Sequence, residues 1–190
     1  MKSNTETEIK IAVTGFERIR ARLKSLGFAR SQPRLFEANM LFDTPGADLR
    51  SGGRLLRVRR VGKQTILTYK GPAETGRHKS REELEIVVSD EAMCQAILDR
   101  LGFKPTFRYE KYRTEYSDGR GVVTLDQTPI GNYLELEGAA GWIDSTAAKL
   151  GFTEADYITS SYGRLYLESG DGRGNMVFGK TPARRLAKRP

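Results

Sequence analysis

Glu6-Thr7-Glu8-Ile9-Lys10 sets two carboxylates and an amine at alternate positions near the start of the chain. Side chains on a strand alternate between faces, so Glu6, Glu8 and Lys10 share one face and Ile9, Ile11 and Val13 the other. Two carboxylates about 7 Å apart along a strand face can bracket a hard divalent cation. An amine at the next position on that face can hold an anion the cation also touches. Taken alone, the segment equally describes an edge strand with a solvated charged face. The arrangement recurs, however. Arg57 and Arg59 oppose Leu56 and Val58; Lys70 opposes Leu67 and Tyr69; Arg81, Glu83 and Glu85 oppose Leu84, Ile86 and Val88. Lys111 and Arg113 oppose Tyr112 and Tyr116, Asp126 opposes Leu125, and Glu135 and Glu137 oppose Leu134 and Leu136. With the first strand this gives seven acids and seven bases on the polar face, with the arginines and lysines in same-sign pairs and the glutamates likewise. Separate cation and polyanion subsites need that grouping, whereas solvated strands usually mix signs to avoid repulsion between neighbours.

The rest of the composition narrows the chemistry. His78 is the one histidine and Cys94 the one cysteine in 190 residues, which removes histidine-cluster metal sites and makes Ser-His-Asp or Cys-His mechanisms improbable. Cys94 reads as a small core residue on a helix. An apolar content of 38% with 29% charged residues describes one soluble domain, with no apolar run long enough to span a membrane. The start Met1-Lys2-Ser3-Asn4 is no secretory signal, so a cytoplasmic address is expected. Of the net charge of +8, six positive charges and no negative ones lie between Gly172 and Pro190, leaving +2 for the body. The expected division is a folded domain over 1–170 and a basic, disordered tail over 171–190, whose removal from about Asp171 leaves folding intact. Within that tail, residues 174–181 match GxxxxGK[ST], but no strand precedes the match and Pro182 follows it, so it reads as a coincidence rather than a phosphate loop.

The elements that must position the charged face are short strands and four helical stretches, an α+β pattern. Strands are expected at 6–13, 39–43, 54–60, 64–70, 81–88, 107–117, 120–126 and 132–137, with turns at 61–63, 118–119 and 129–131. Helices are expected at about 16–26, 90–101, 144–150 and 154–167. Three of them end in the same Leu-Gly-Phe triplet, at 26–28, 101–103 and 150–152, which is a helix C-cap signature. Two architectures fit. An open sheet would leave the charges wet. A closed antiparallel barrel would carry helices on its apolar outer face and charges inside, where they need pairing, hydration or a ligand.

In order and spacing the charged segments resemble the CYTH family of triphosphate tunnel metalloenzymes, which includes class IV adenylyl cyclases and thiamine triphosphatases. The resemblance begins with the ExExK signature at Glu6–Lys10 and continues through residues 41–45, 55–59, 67–72 and 80–85. It resumes at 110–113, 125–131 and 134–138, and spans roughly residues 5–167. It implies an eight-stranded antiparallel closed β-barrel, a tunnel with a polar interior, flanked by about four α-helices. It also implies a divalent Mg²⁺ or Mn²⁺ and a small-molecule triphosphate substrate.

Carried over position by position, Glu6, Glu8, Asp126, Glu135 and Glu137 resemble the family's metal ligands. Lys10, Arg57, Arg59, Lys70, Arg81, Lys111 and Arg113 resemble its triphosphate clamp, with Lys70 and Arg113 in the catalytic positions. Arg54 and Arg60 read as surface. The implied chemistry is cyclisation of ATP to cyclic AMP and pyrophosphate, as in class IV adenylyl cyclases. Hydrolysis of thiamine triphosphate, tripolyphosphate or a nucleoside triphosphate is the alternative, and a non-catalytic polyphosphate- or nucleotide-binding module a third. The thiamine triphosphatases carry a tyrosine just before the Phe-Asp-Thr stretch, where this chain has Asn39-Met40-Leu41. No membrane or specific nucleic-acid partner is expected, and a homodimer is left open. Ser161-Tyr162 is expected near a tunnel mouth.

Overall fold

A computed structural model of the protein describes residues 5–170 and 174–179. Its strands are β1 (Thr5–Val13), β2 (Ala29–Asp43), β3 (Leu55–Val61), β4 (Gln64–Lys70), β5 (Glu74–Thr75), β6 (Lys79–Val88), β7 (Lys104–Ser117), β8 (Gly121–Thr128) and β9 (Gly131–Gly138). The helices are α1 (Glu17–Ser25), α2 (Asp48–Ser51), α3 (Glu91–Arg100), α4 (Ala140–Leu150) and α5 (Tyr162–Glu168), with a 3₁₀ turn at Glu154–Asp156. The strand order is β1-β9-β8-β7-β2-β3-β4-β6, and β6 pairs back onto β1 from Thr5↔Glu82 to Glu8↔Lys79. Eight antiparallel strands therefore close into a barrel, with the two-residue β5 added beside the start of β6.

The barrel is apolar outside and charged inside, because the alternating faces have been sorted that way. Ile9, Ile11, Val123, Leu125, Leu134 and Leu136 face outward and are covered by Ile19 and Leu23 of α1 and Ile143, Ala147 and Leu150 of α4. On the other flank, Cys94 and Leu98 of α3 cover Phe42 and Val58. Each such aliphatic side chain contributes roughly 1.5–3 kcal/mol on burial, so the helices anchor the wall from outside. The Leu-Gly-Phe triplets end α1, α3 and α4 as expected: Gly27, Gly102 and Gly151 have φ of +83°, +89° and +91°. The N–H of each following phenylalanine donates back into the last turn, to Leu23, Leu98 and Ala147.

Several boundaries differ from the periodicity. β2 begins ten residues earlier than expected, because register shifts between Arg30 and Leu35, around Pro33, hide its alternation. The expected helix at 154–167 is divided: Ile158 instead exchanges two backbone hydrogen bonds of 2.8 Å with Lys10, completing the edge of β1 where β6 has run out. The short α2 was not expected. Asp43 organises it, its carboxylate accepting from the N–H groups of Thr44, Leu49 and Arg50 at 2.8, 2.9 and 3.0 Å.

The expectation of a free tail needs correction where the structure describes it. Met176 lies alongside Tyr109 in a parallel bridge, accepting from Glu110 N–H and donating to the Arg108 carbonyl, both at 2.9 Å. It is fully buried among Tyr109, Tyr133, Tyr162 and Tyr166. The cause is an edge: β8 pairs only with 112–117 of β7, leaving the earlier part of β7 open on that side. Residues 171–173 and 180–190 of the expected tail lie outside the described residues, as does Lys180 of the phosphate-loop match.

Candidate active site

A cavity of about 230 Å³ runs inside the barrel, far above the roughly 10–15 Å³ that one water needs, so it holds several waters or a small charged ligand. Glu6, Glu8 and Lys10 of β1, Arg57 and Arg59 of β3, Lys70 of β4 and Arg81, Glu83 and Glu85 of β6 line it. Lys111 and Arg113 of β7 and Glu135 and Glu137 of β9 complete the wall. All the expected site residues except Asp126 therefore share one cavity, while Arg54 and Arg60 are exposed outside it. Lys79, Tyr109 and Glu115 line it as well, and Ser161, Tyr162 and Gly163 close one end.

The same-sign pairs meet opposite charges, mostly on other strands and in one case on the same strand. Lys70 sits 2.6 Å from Glu6 and 3.0 Å from Glu83. Lys10 and Lys79 each approach the same oxygen of Glu8 at 3.0 Å. Arg57 and Arg59 meet Glu85 at 3.2 and 3.1 Å. Burial works against the charge on Glu8, but Lys10 and Lys79 outweigh it and hold the carboxyl at about 2.

Two of the expected metal ligands, Asp126 and Glu135, are held by basic side chains and a tyrosine. Asp126 has no solvent exposure and takes four donors: Lys111 at 3.0 Å, Arg113 through Nε at 2.7 Å and Nη2 at 2.6 Å, and the Tyr162 hydroxyl at 2.7 Å. Glu135 is bound by Arg113 at 2.8 Å and Lys10 at 3.2 Å. Against burial, Arg113, Lys10 and Lys111 hold the Glu135 carboxyl well below the usual range. These two acids fix the direction of Lys111 and Arg113 and leave Arg113 Nη1 for a ligand.

At the other side of the cavity the balance reverses. Glu137 faces Glu8 in register and has neither a salt bridge nor a side-chain hydrogen bond among the described residues. Burial, then the nearby charges of Glu6 and Glu135, push its carboxyl up to about 7. Glu83 is also raised to about 7, by burial and by Glu6, with Lys70 opposing. Among the described residues no three acidic, histidine or cysteine side chains are already gathered to ligate a metal, because Glu6 and Glu8 turn to lysines. An all-oxygen set of crowded carboxylates, of which Glu83 and Glu137 resist ionising, nevertheless suits a hard divalent cation, which would relieve their repulsion.

Several inner residues escaped the sequence reading. Glu37 and Asn39 are buried on the inner face of β2; Glu37 lies 3.5 Å from Lys111, and both polar atoms of the Asn39 side chain lack partners. Extending the alternation back from Leu41 would have found both, and extending β6 back from Arg81 would have found Lys79. Tyr109, which accepts from Arg57 at 3.3 Å, had no signal beyond its parity with Lys111. Tyr162 lies at the cavity end, as expected, with Lys10 and Lys111 each over its ring.

Comparison with known proteins agrees with this geometry. Residues 4–162 match the family model of the CYTH domain. A Methanocaldococcus jannaschii protein described as "putative adenylate cyclase MJ0240" is 31% identical over 133 residues, covering 70% of this chain and 75% of the relative. A similarly described protein from Vibrio parahaemolyticus has the same fold, with a TM-score of 0.78 and 19% identity over 87% of this chain and 99% of that one. A Hippeastrum protein, HpAC1, described as an adenylyl cyclase candidate with a dominant triphosphatase activity, superposes with a TM-score of 0.60 at 18% identity, covering 87% and 96%. Among the described residues no helix is long and apolar enough to cross a membrane.

Proposed function

Because the chain belongs to the CYTH family, we propose that it is a divalent-metal-dependent enzyme acting on a triphosphate held inside the barrel, and that its reaction is the cyclisation of ATP to cyclic AMP and pyrophosphate. The observation that carries the reading is one cavity lined both by Glu6, Glu8, Glu83 and Glu137, of which Glu137 has no salt bridge among the described residues, and by Arg57, Arg59, Lys111 and Arg113. Eight basic and seven acidic side chains line the cavity, so its own charge is close to neutral. A triphosphate with about four negative charges at neutral pH therefore gains little from the walls alone. The carboxylate side supplies the place for the missing positive charge. Glu6, Glu8 and Glu137, with Glu83 beside them, would hold Mg²⁺ or Mn²⁺, which supplies charge neutralisation and activation of the attacking hydroxyl.

The chain's own residues do the positioning. Arg57, Arg59 and Arg113 present forked N–H groups to phosphate oxygens, and Lys10, Lys70 and Lys111 act as point charges. Lys70 lies between Glu6 and Glu83, so it can exchange a carboxylate for a phosphate oxygen as the substrate enters. Arg113, braced by Asp126 and Glu135, keeps its direction while charge develops on the transferring phosphate. Little covalent chemistry is asked of the protein; alignment of the ribose 3′-hydroxyl with the α-phosphorus carries the rate. The name of the M. jannaschii relative supports cyclisation. The activity described for the Hippeastrum protein supports γ-phosphate hydrolysis as the second reading.

Incubating the purified protein with ATP, thiamine triphosphate and tripolyphosphate, each with Mg²⁺ or Mn²⁺, decides between them by product. Cyclic AMP with pyrophosphate is expected. Orthophosphate would establish hydrolysis, and no turnover of any substrate would leave a binding module.

A further inference from the structure

The cavity is charged along most of its wall but not at the end beside α5. There Leu41, which pairs with Arg57 across β2 and β3, and Leu55, two residues before Arg57 on the same face, line the cavity together with Tyr109, Ser161 and Gly163. Leu41 also packs on the aromatic stopper around Tyr162 and Met176. Leu55 joins none of the apolar clusters of the described residues and is only half buried. Its register partner is Lys70, and the next inward residue along β3 is Arg57. An aliphatic side chain there does nothing for phosphate, and its apolar surface is left against water until something apolar covers it.

Resting on the triphosphate reading above, we propose that the recess of Leu41, Leu55 and Tyr109 receives the uncharged ring of a nucleobase, with the phosphates of the same molecule running from Lys70 and Arg57 toward Arg113. The recess adjoins the end of the basic row, where the organic group of a nucleoside triphosphate must leave the phosphate chain. Both polar neighbours of Leu55 are already paired, Lys70 with Glu6 and Glu83 and Arg57 with Glu85, so the aliphatic surface between them suits an uncharged ring. Contact with aliphatic and aromatic faces rewards the presence of a ring over its absence, making this the element that separates a nucleotide from bare tripolyphosphate.

Calorimetric titration with α,β-methylene-ATP and with tripolyphosphate, both in Mg²⁺, tests this on the parent, Leu55→Ala and Leu55→Trp. The parent should bind the nucleotide analogue more tightly than tripolyphosphate. Leu55→Ala should weaken the analogue roughly tenfold through lost apolar contact, and Leu55→Trp, which fills the recess, at least as much. Both variants should hold tripolyphosphate within about twofold of the parent, because the phosphate contacts are separate. Equal weakening of the two ligands, as a merely structural role for Leu55 would produce, overturns the proposal. So does an unchanged affinity for the analogue in Leu55→Trp. A parent that binds neither ligand overturns the triphosphate reading and this inference with it, whereas intact tripolyphosphate binding confines the failure to the recess.

Discussion

Glu137 shows most directly how function is set against stability at a single side chain. Its carboxyl is raised from an ordinary 4.5 to about 7, so the folded protein resists ionising a group that the unfolded chain ionises freely. The resulting cost is absent below about pH 4.5, grows through the window up to about 7, and is complete above it. Glu137→Gln should therefore be more stable than the parent by roughly 1–3 kcal/mol at pH 8 in chelator, and indistinguishable from it at pH 4. Urea unfolding at the two pH values checks this; an equal difference at both would mean that the charge is not the cause. The same variant should lose metal-dependent turnover. Asp126 is expected to behave oppositely. Removing its four donors' acceptor by Asp126→Ala leaves Lys111 and Arg113 buried without their counter-charge, which typically costs about 3–5 kcal/mol. Retention of full stability with loss of metal affinity would instead return Asp126 to the metal-ligand set.

At the scale of elements, the barrel's own strands leave stretches of edge open, and two irregular segments among the described residues each fill part of one. Ile158 completes β1 at Lys10, and Met176 completes β7 at Tyr109. The second contact predicts that the residues after α5 divide into a structural part and a dispensable part. Met176→Ala should lower stability by about 2–4 kcal/mol, the usual range for a large side chain lost from a filled core. Truncation after Gly170 should cost at least as much, while truncation after Gly179 leaves the melting temperature unchanged. If the two truncations melt alike, the Met176 contact carries no weight. The resemblance to a phosphate loop at 174–181 gains no support from this arrangement, since Met176 lies within it and is buried on β7. Lys180→Ala should accordingly leave ATP binding intact in the same titration.

For the whole molecule, the governing quantity is the near balance of charge inside a barrel whose apolar face is outside. A metal ion alone enters a cavity already crowded with lysines and arginines, and a polyphosphate alone meets nearly as many carboxylates. Together each supplies the counter-charge the other lacks. Mg²⁺ and tripolyphosphate added together should therefore raise the melting temperature by more than the sum of their separate effects, after allowance for their complex in solution. Strictly additive shifts would indicate two independent sites and would contradict a shared cavity.

The sequence by itself determined which face each charged strand residue takes, because alternation along a strand is a local property of the backbone. From that came the shared polar face and most of the charged residues that line the cavity; the helix ends came from the three Leu-Gly-Phe triplets, and the choice of a closed barrel over an open sheet from the resemblance to the CYTH family. It could not determine which charges meet. Lys70 finds Glu6 across 64 positions and Lys79 finds Glu8 across 71, and those distances depend on barrel closure and strand register. Parity likewise placed Asp126 inside but could not show that Lys111, Arg113 and Tyr162 would saturate it. Composition made residues after Gly172 look free, although an open edge on β7 offered Met176 two backbone hydrogen bonds and an aromatic pocket. Local periodicity chooses a face; only the packed chain decides what that face meets.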